Sequence, residues 1–272
     1  MQDSPASFRS TYERDGYAFP IRVMSLDQAA DYRAQLETVE QDVVGDKDKS
    51  KAIRSFPNLV LPFIDEITKS DAVTGPVSEL LGDDLLVFGV SLFAKDVRSS
   101  SYVSWHQDLH YWGLDNDEEV TAWLALSPAT IDSGCMRFVP GSHNIILEHA
   151  DTFHEDNLLT RGQEIAVEVD EKDAVEAVLQ PGEMSLHHGR LLHASNPNSS
   201  DDRRIGLAIR YITAKQKQAV GGGTIATLAR GKDAYGNFEL APAPRTIMGE
   251  EEMALWRRAT GAKDQILYRE TA

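Results

Sequence analysis

From residue 85 onward the chain reads as a succession of short β-strands. The run Leu85–Ala94 is continuously apolar, which is typical of a strand that is buried on both faces. Further strand patterns follow, and Gly, Pro, Asn and Asp residues separate them; they include residues 103–106, 120–126, 136–139, 164–169, 183–188 and 205–213. Many short strands with turn residues between them favour a closed or two-sheet β architecture. We therefore predict a mainly β fold.

The first 84 residues have helical patterns instead. Ser25 and Gln28 form a capping box at the start of one helix, and helices are also predicted near residues 5–16, 62–69 and 72–81. The charge-rich residues 46–51 are interpreted as a loop, and a last helix is predicted at 250–259. We predict a single domain over residues 1–272, with a mainly helical layer at 1–84, a β core at 85–213 and a C-terminal cap at 214–272.

Composition excludes several classes of partner. The 272 residues carry a formal net charge of −16, which argues against nucleic acid or an anionic membrane surface as the main partner. Cys135 is the one cysteine, so an internal disulfide framework is excluded and a reducing compartment is favoured. No stretch resembles a signal peptide or reaches the roughly 20 apolar residues of a membrane span. We expect a cytoplasmic protein.

The stretch Ser104–Trp112 contains two histidines and a carboxylate. In a strand, residues two apart share a face, so His106 and Asp108 would point the same way. Two His and one carboxylate on one face of a metal are the ligand set of non-haem Fe(II) oxygenases, and the second His would come from further along the chain. A buried His paired with a nearby Asp is the simpler alternative. A helical zinc-protease pattern would need Glu at 107, where the chain has Gln107.

Three further histidines lie in the segment 180–199. His187, His188 and His193 are all candidates for the missing ligand, and the segment is followed by two arginines, Arg203 and Arg204. An arginine near a metal site suits an anionic ligand, because its guanidinium can meet a carboxylate with two charge-assisted hydrogen bonds.

Taken together, these motifs resemble the phytanoyl-CoA dioxygenase family of Fe(II)- and 2-oxoglutarate-dependent oxygenases. The resemblance runs from about Tyr12 to Phe238. The motifs that carry it are residues 106–111 (HQDLHY), 122–123 (AW), 134–136 (GCM), 140–143 (PGSH), 181–183 (PGE) and 192–195 (LHAS), with Asn198 and Arg204. The family implies a double-stranded β-helix, that is, a cupin-like jelly roll, with N-terminal helices packed on one sheet.

The resemblance also implies a set of site residues. Fe(II) would be held by His106, Asp108 and His193. The distal carboxylate of 2-oxoglutarate would be anchored by Arg204, which lies eleven residues beyond His193. The other cosubstrate-binding positions would be Ser195 and Trp123. We interpret Arg203 as a surface residue that pairs with Asp201 or Asp202.

The family chemistry is a hydroxylation. It consumes O2 and 2-oxoglutarate, releases succinate and CO2, and oxidises a substrate C–H bond. Because Asp108 is present, we predict hydroxylation rather than halogenation. The substrate is predicted to be a small molecule, polar or zwitterionic, with Tyr111 and Trp112 available to receive a cation. Two alternatives stay open: a cupin-like metalloenzyme that does not use 2-oxoglutarate, and a non-catalytic jelly-roll binding protein.

The remaining histidines and basic residues have less specific patterns. We predict that His188 orients a ligand, that His187 faces the core or the other sheet, and that His110 lines the substrate side. His149 lies in an acidic segment and is predicted to be solvated. Lys51 and Arg54 could meet an anionic ligand.

Overall fold

The computed structural model describes residues 8–152, 154, 156–159, 163–165 and 169–267. It divides into two compact units. Unit 1 contains the residues up to Ala30, Phe93–Asp108 and Trp123–Gly206. Unit 2 contains Asp31–Leu92, Leu109–Ala122 and the residues from Leu207 onward.

The described residues include six α-helices, most of them in the first third of the chain. Their bounds are α1 Phe8–Asp15, α2 Leu26–Asp42, α3 Lys47–Arg54, α4 Pro62–Lys69, α5 Asp71–Leu81 and α6 Glu250–Leu267. The capping box at the start of α2 is formed as predicted: the backbone N–H of Ser25 donates to Gln28 Oε1 at 3.0 Å, and the backbone N–H of Gln28 donates to Ser25 Oγ at 3.1 Å. None of the helices within these described ranges combines the length and the hydropathy of a membrane span.

Thirteen strands lie within the described residues. They are β1 Tyr17–Arg22, β2 Leu85–Lys95, β3 Val103–His106, β4 Glu119–Ala125, β5 Met136–Phe138, β6 His149–Asp151, β7 Gln163–Ile165, β8 Val175–Ala177, β9 Glu183–His187, β10 His193–Ser195, β11 Arg204–Thr213, β12 Ile225–Arg230 and β13 Glu239–Leu240.

Unit 1 is built from two sheets that pack face to face. One sheet has the strand order β3-β10-β5-β8, and the other carries the order β1-β9-β4-β11 within this unit. The ring of Phe138 on β5 lies between the two sheets, 5.1 Å from the ring of Tyr17 on β1 and 5.4 Å from the ring of His187 on β9. Phe138 is fully buried, so the contact excludes water from the centre of the sandwich. This arrangement confirms the predicted jelly roll.

Unit 2 packs helices against the strands β2, β11 and β12. Asn58 Nδ2 donates to Thr227 Oγ1 on β12 at 3.2 Å, and the phenolic O–H of Tyr211 on β11 donates to the carbonyl of Thr68 at 2.7 Å. A fully buried apolar cluster lies between the ends of these strands; it consists of Leu86, Ile212, Ala214, Ala226 and Phe238. The predicted helical layer is therefore present and packs on one sheet.

Two local predictions were wrong. Residues 47–51 belong to α3 and not to a loop, because Asp46 caps the helix by accepting from the backbone N–H of Lys49 at 3.1 Å. The strand β12 was missed; it lies in the segment 214–272 that was predicted to be a C-terminal cap. The boundaries at 84 and 213 coincide with the start of β2 and the end of β11, and the single-domain organisation stays a prediction.

Candidate active site

His106 and Asp108 lie at the end of β3, where the chain leaves the sheet. His106 is the last residue of the strand, and Asp108 begins the 3-10 helix Asp108–Tyr111. The prediction that His106 and Asp108 share one face of a strand was therefore wrong. The turn after His106 brings the two side chains together. His106 Nε2 and Asp108 Oδ1 are 3.4 Å apart, and both residues are buried.

The antiparallel pairing of β3 with β10 supplies the second histidine. His193 is the register partner of His106, and their ring centroids are 4.0 Å apart. One ligand atom from each of His106, Asp108 and His193 can be chosen so that all three lie within 4.8 Å of one another. Among the described residues this is the only group of three or more His, Cys, Asp or Glu side chains with that geometry.

Backbone carbonyls set the tautomers of both imidazoles. His106 Nδ1 lies 2.9 Å from the carbonyl oxygen of Ser104, and His193 Nδ1 lies 2.9 Å from that of Leu191. Because a carbonyl only accepts, each Nδ1 must carry the proton, which leaves each Nε2 lone pair available to a metal. Burial, reinforced by His106 and His187, holds the pKa of His193 well below its ordinary value, so the ring is in the neutral form that ligates.

A buried cation lies on the strand that follows this group. Arg204 begins β11 and is 1% exposed, and its Nε and Nη2 atoms have no hydrogen-bond partner among the described residues. Burial lowers the pKa of Arg204 to about 10, so the guanidinium stays charged at neutral pH. A buried charge whose donors have no acceptor is costly, and here it indicates a place for an anionic ligand.

Trp123 forms one wall beside Arg204. The guanidinium carbon of Arg204 lies 5.2 Å from the centre of the Trp123 ring, which is a cation–π distance. The other neighbour of the indole is the backbone of Gly206, where a Cβ atom would come within 2.0 Å of Trp123 Cζ2. Only glycine leaves room for the indole at this position.

Lys95 is a buried residue beside Ser195 whose burial the sequence did not reveal. It ends β2 and is fully buried, and its Nζ donates to Ser195 Oγ at 2.7 Å and to the carbonyls of Gly134 and Asn196. Burial, together with the charge of Arg204, lowers the pKa of Lys95 to about 6. A lysine at the end of an apolar strand usually marks the point where the strand reaches solvent, so the sequence carried no signal of its burial.

The other histidines do not all lie where they were predicted. His187 is 1% exposed and its ring is 4.8 Å from that of His193, as expected for a core-facing residue. The ring of His188 contacts the rings of His143 and Tyr12, at centroid distances of 5.5 and 6.5 Å, and its role in orienting a ligand stays a prediction. His149 is half-buried and accepts from the backbone N–H of Gln107, so the prediction that it is solvated was wrong.

One prediction about a ligand-binding residue changes, and that for Lys51 stays a prediction. In unit 2 the face of Trp112 is covered by the chain's own Arg210, whose guanidinium carbon lies 5.3 Å from the ring centre, so this face does not await an external cation. Lys51 lies on α3 with its Nζ 3.7 Å from Asp264 Oδ2. The side chain of His110 lies outside the described part of the chain.

Known proteins that resemble this chain include dioxygenases. The family model described as phytanoyl-CoA dioxygenase (PhyH) matches residues 12–206. A "probable alpha-ketoglutarate-dependent hypophosphite dioxygenase" of Stutzerimonas stutzeri is 27% identical over 187 residues, 67% of this chain and 61% of that protein. The ectoine dioxygenase of Streptomyces avermitilis is 27% identical over 160 residues, 54% of each chain. The chain thus spans less than two thirds of the length of these curated relatives.

Solved structures extend the likeness to nearly the whole chain. The apo structure of ThoJ, a non-heme monooxygenase, is 32% identical with a TM-score of 0.86 and covers 97% of this chain and 98% of its own. A nickel complex of ThoJ gives a TM-score of 0.81 at 29% identity, covering 97% of this chain and 99% of its own. The α-ketoglutarate-dependent epimerase SnoN shares the fold, with a TM-score of 0.63 at 21% identity over 78% of this chain and 82% of its own. The chain belongs to the phytanoyl-CoA dioxygenase family.

Proposed function

We propose that the chain is an Fe(II)- and 2-oxoglutarate-dependent dioxygenase that hydroxylates a C–H bond of a small molecule. The observation that carries the proposal is the buried group of His106, Asp108 and His193, whose ligand atoms lie within 4.8 Å of one another. Arg204, which is buried with Nε and Nη2 lacking acceptors, adds support. Two neutral imidazoles and one carboxylate suit Fe(II) and leave coordination positions open. His106, Asp108 and His193 would hold the metal.

The chain's own residues suit the cosubstrate. Arg204 would bind the distal carboxylate of 2-oxoglutarate, and the approach of the carboxylate would supply the acceptors that Nε and Nη2 lack. Because Ser195 Oγ accepts a hydrogen bond from Lys95, its own hydroxyl proton is free to point into the pocket and donate to the same carboxylate. With 2-oxoglutarate and O2, the bound metal supplies the oxidising power for C–H cleavage; Trp123 and the surrounding sheets exclude water from the pocket.

We also propose that the substrate is small and polar, with a zwitterion as the favoured class. The relatives named for ectoine and for hypophosphite act on small molecules, which supports a compact substrate. The net charge of −16 disfavours a polyanionic substrate. Since Arg210 covers Trp112, selection of a cationic group would fall to other side chains.

A turnover assay tests the proposal. The purified chain, loaded anaerobically with Fe(II) and then given O2 and 2-oxoglutarate, should release succinate, and the rate should rise when a library of small metabolites contains the true substrate. Product formation with the metal but without 2-oxoglutarate would instead favour a cupin-like metalloenzyme of another class. Absence of iron binding would favour a binding protein.

The reaction outcome should be the gain of one oxygen atom by the substrate. Asp108 would be the third protein ligand of the metal, so a halide would find no place there, and the negative charge of Asp108 would repel chloride. We expect the same hydroxylated mass in buffers with and without chloride. Asp108→Gly should lose hydroxylation, because it removes a ligand, while the geometry for placing the substrate stays unchanged. A chlorinated product from the unmodified protein would contradict this prediction.

Lys95 should make the stability of the protein depend on pH. Its pKa falls from 10.5 in the unfolded chain to about 6 in the folded protein, so between these values the unfolded chain binds more protons. The free energy of unfolding should therefore rise with pH across this window, by up to about 1.4 kcal/mol per pH unit from this one group. Lys95→Met should flatten the slope by about that amount between pH 7 and 9 in urea unfolding, whereas Lys217→Met, at an exposed lysine, should not. Equal slopes in Lys95→Met and the parent protein would refute the prediction.

A further inference from the structure

Gln107 stands between two of the proposed metal ligands, and its side-chain carboxamide is fully used. The residue is 2% exposed. Its Nε2 donates to the backbone carbonyls of Ile145 and Arg190, each at 2.6 Å, and its Oε1 accepts from the backbone N–H of Leu147 at 3.0 Å. One side chain thus joins three segments that are distant in sequence.

The contact with Arg190 reaches the third proposed ligand. The next residue is Leu191, whose carbonyl accepts the hydrogen bond from His193 Nδ1. The side chain that lies between His106 and Asp108 therefore holds the short segment whose carbonyl orients the His193 ring. The covalent chain connects these two parts only through more than 80 intervening residues, since Gln107 and Arg190 are 83 positions apart.

The segment 145–149 is attached at the same point. The backbone N–H of Gln107 donates to His149 Nε2 at 2.9 Å, and His149 Nδ1 lies 3.0 Å from the carbonyl of Leu147. Together with the contacts of the carboxamide, this gives residue 107 three hydrogen bonds to the segment 145–149. These hydrogen bonds restrict the carboxamide in addition to its bond to the carbonyl of Arg190.

We propose that Gln107 is a positioning residue that fixes the His193 imidazole relative to His106 and Asp108. The inference rests on the proposed metal site. The surroundings present two carbonyl acceptors and one N–H donor. The carboxamide supplies the two N–H donors and the one oxygen acceptor that match them. Glutamate at this position would present oxygen to two carbonyl oxygens, and methionine would leave both carbonyls and the Leu147 N–H without a partner. In either case the segment that carries Leu191 is released from the turn after β3.

Cobalt binding tests the positioning role without turnover. Co(II) should be titrated anaerobically into the parent protein, into Gln107→Glu and Gln107→Met, and into Gln41→Glu as a matched exposed control, with the absorption bands of bound Co(II) recorded. Removing an outer partner of a ligand typically weakens metal binding about 10–100-fold. We expect a loss of that size in both variants at position 107, and a changed spectrum at saturation, because the His193 ring is no longer held in one orientation. Gln41→Glu should match the parent protein.

The outcomes separate this inference from the proposed function. Parent-like affinity and spectrum in both variants at position 107 would overturn the positioning role of Gln107 and leave the metal site standing. Failure of the parent protein to bind Co(II), or binding that survives His106→Ala, would overturn the metal site itself. If Gln107→Met does not fold, Gln107→Glu, which keeps an acceptor for Leu147, decides by the same criteria.

Discussion

His106→Ala is expected to abolish metal retention and succinate formation together. Loss of an outer partner of a ligand alone typically costs about 10–100-fold in metal affinity, so loss of a ligand should exceed 100-fold. The fold itself should survive, since the β3–β10 pairing depends on backbone hydrogen bonds and the apolar packing of unit 1 stays in place. Anaerobic Fe(II) titration and succinate release measure the two effects. Normal turnover in His106→Ala would end the oxygenase proposal.

The histidines of the second half of the site provide matched controls. His193→Ala should behave as His106→Ala does. His188→Ala should keep the metal, because His193 is the proposed ligand and the His188 ring contacts Tyr12 and His143. His187→Ala should also keep most of the metal, but it leaves a cavity beside Phe138 and should lower the free energy of unfolding by about 2–5 kcal/mol, as large-to-small core replacements do. If His188→Ala alone loses the metal, His188 is the distal ligand and the assignment to His193 is wrong.

Periodicity and capping chemistry predicted most of the fold. The apolar run at 85–94 and the capping box at Ser25 are local signals, and both elements formed where expected. α3 was missed because its sequence is charged, and only the cap at Asp46 and burial of Ala52 and Ile53 on one face make it a helix. β12 was missed because it completes a sheet through pairing with β2, and such long-range pairing leaves little mark on the local pattern.

Some residues of the candidate site were likewise predicted from the sequence, and others were not. The resemblance to a known family selected His106, Asp108, His193 and Arg204, and their roles stay predictions that the geometry supports. Lys95 and Gln107 were not recognised, because each owes its place to partners more than 35 residues away, such as Gly134 and Arg190. A buried lysine and a saturated carboxamide become visible only once the partners are in place.

Arg204→Met should weaken 2-oxoglutarate binding and, at the same time, stabilise the protein without ligand. Truncating one partner of a buried charge pair costs about 2–5 kcal/mol, so the dissociation constant for 2-oxoglutarate should rise at least about 30-fold. In the free protein the same guanidinium is buried with Nε and Nη2 lacking acceptors, and an unpaired buried ion costs several kcal/mol. Its cation–π contact with Trp123 returns only about 2 kcal/mol of that cost, so we expect a net gain in stability when Arg204 is removed.

Arg203→Met is the matched control for both effects. Its guanidinium pairs with Asp96, a carboxylate that is 80% exposed, at 3.1 Å on the surface. Such pairs contribute about 0–1 kcal/mol, so this variant should change neither the 2-oxoglutarate affinity nor the unfolding temperature by much. Calorimetric titration with 2-oxoglutarate and thermal unfolding of the ligand-free protein measure the two quantities separately. Equal effects of the two variants on affinity would show that Arg204 is not the anchor, and a fall in the unfolding temperature of Arg204→Met would show that its charge is already neutralised within the folded chain.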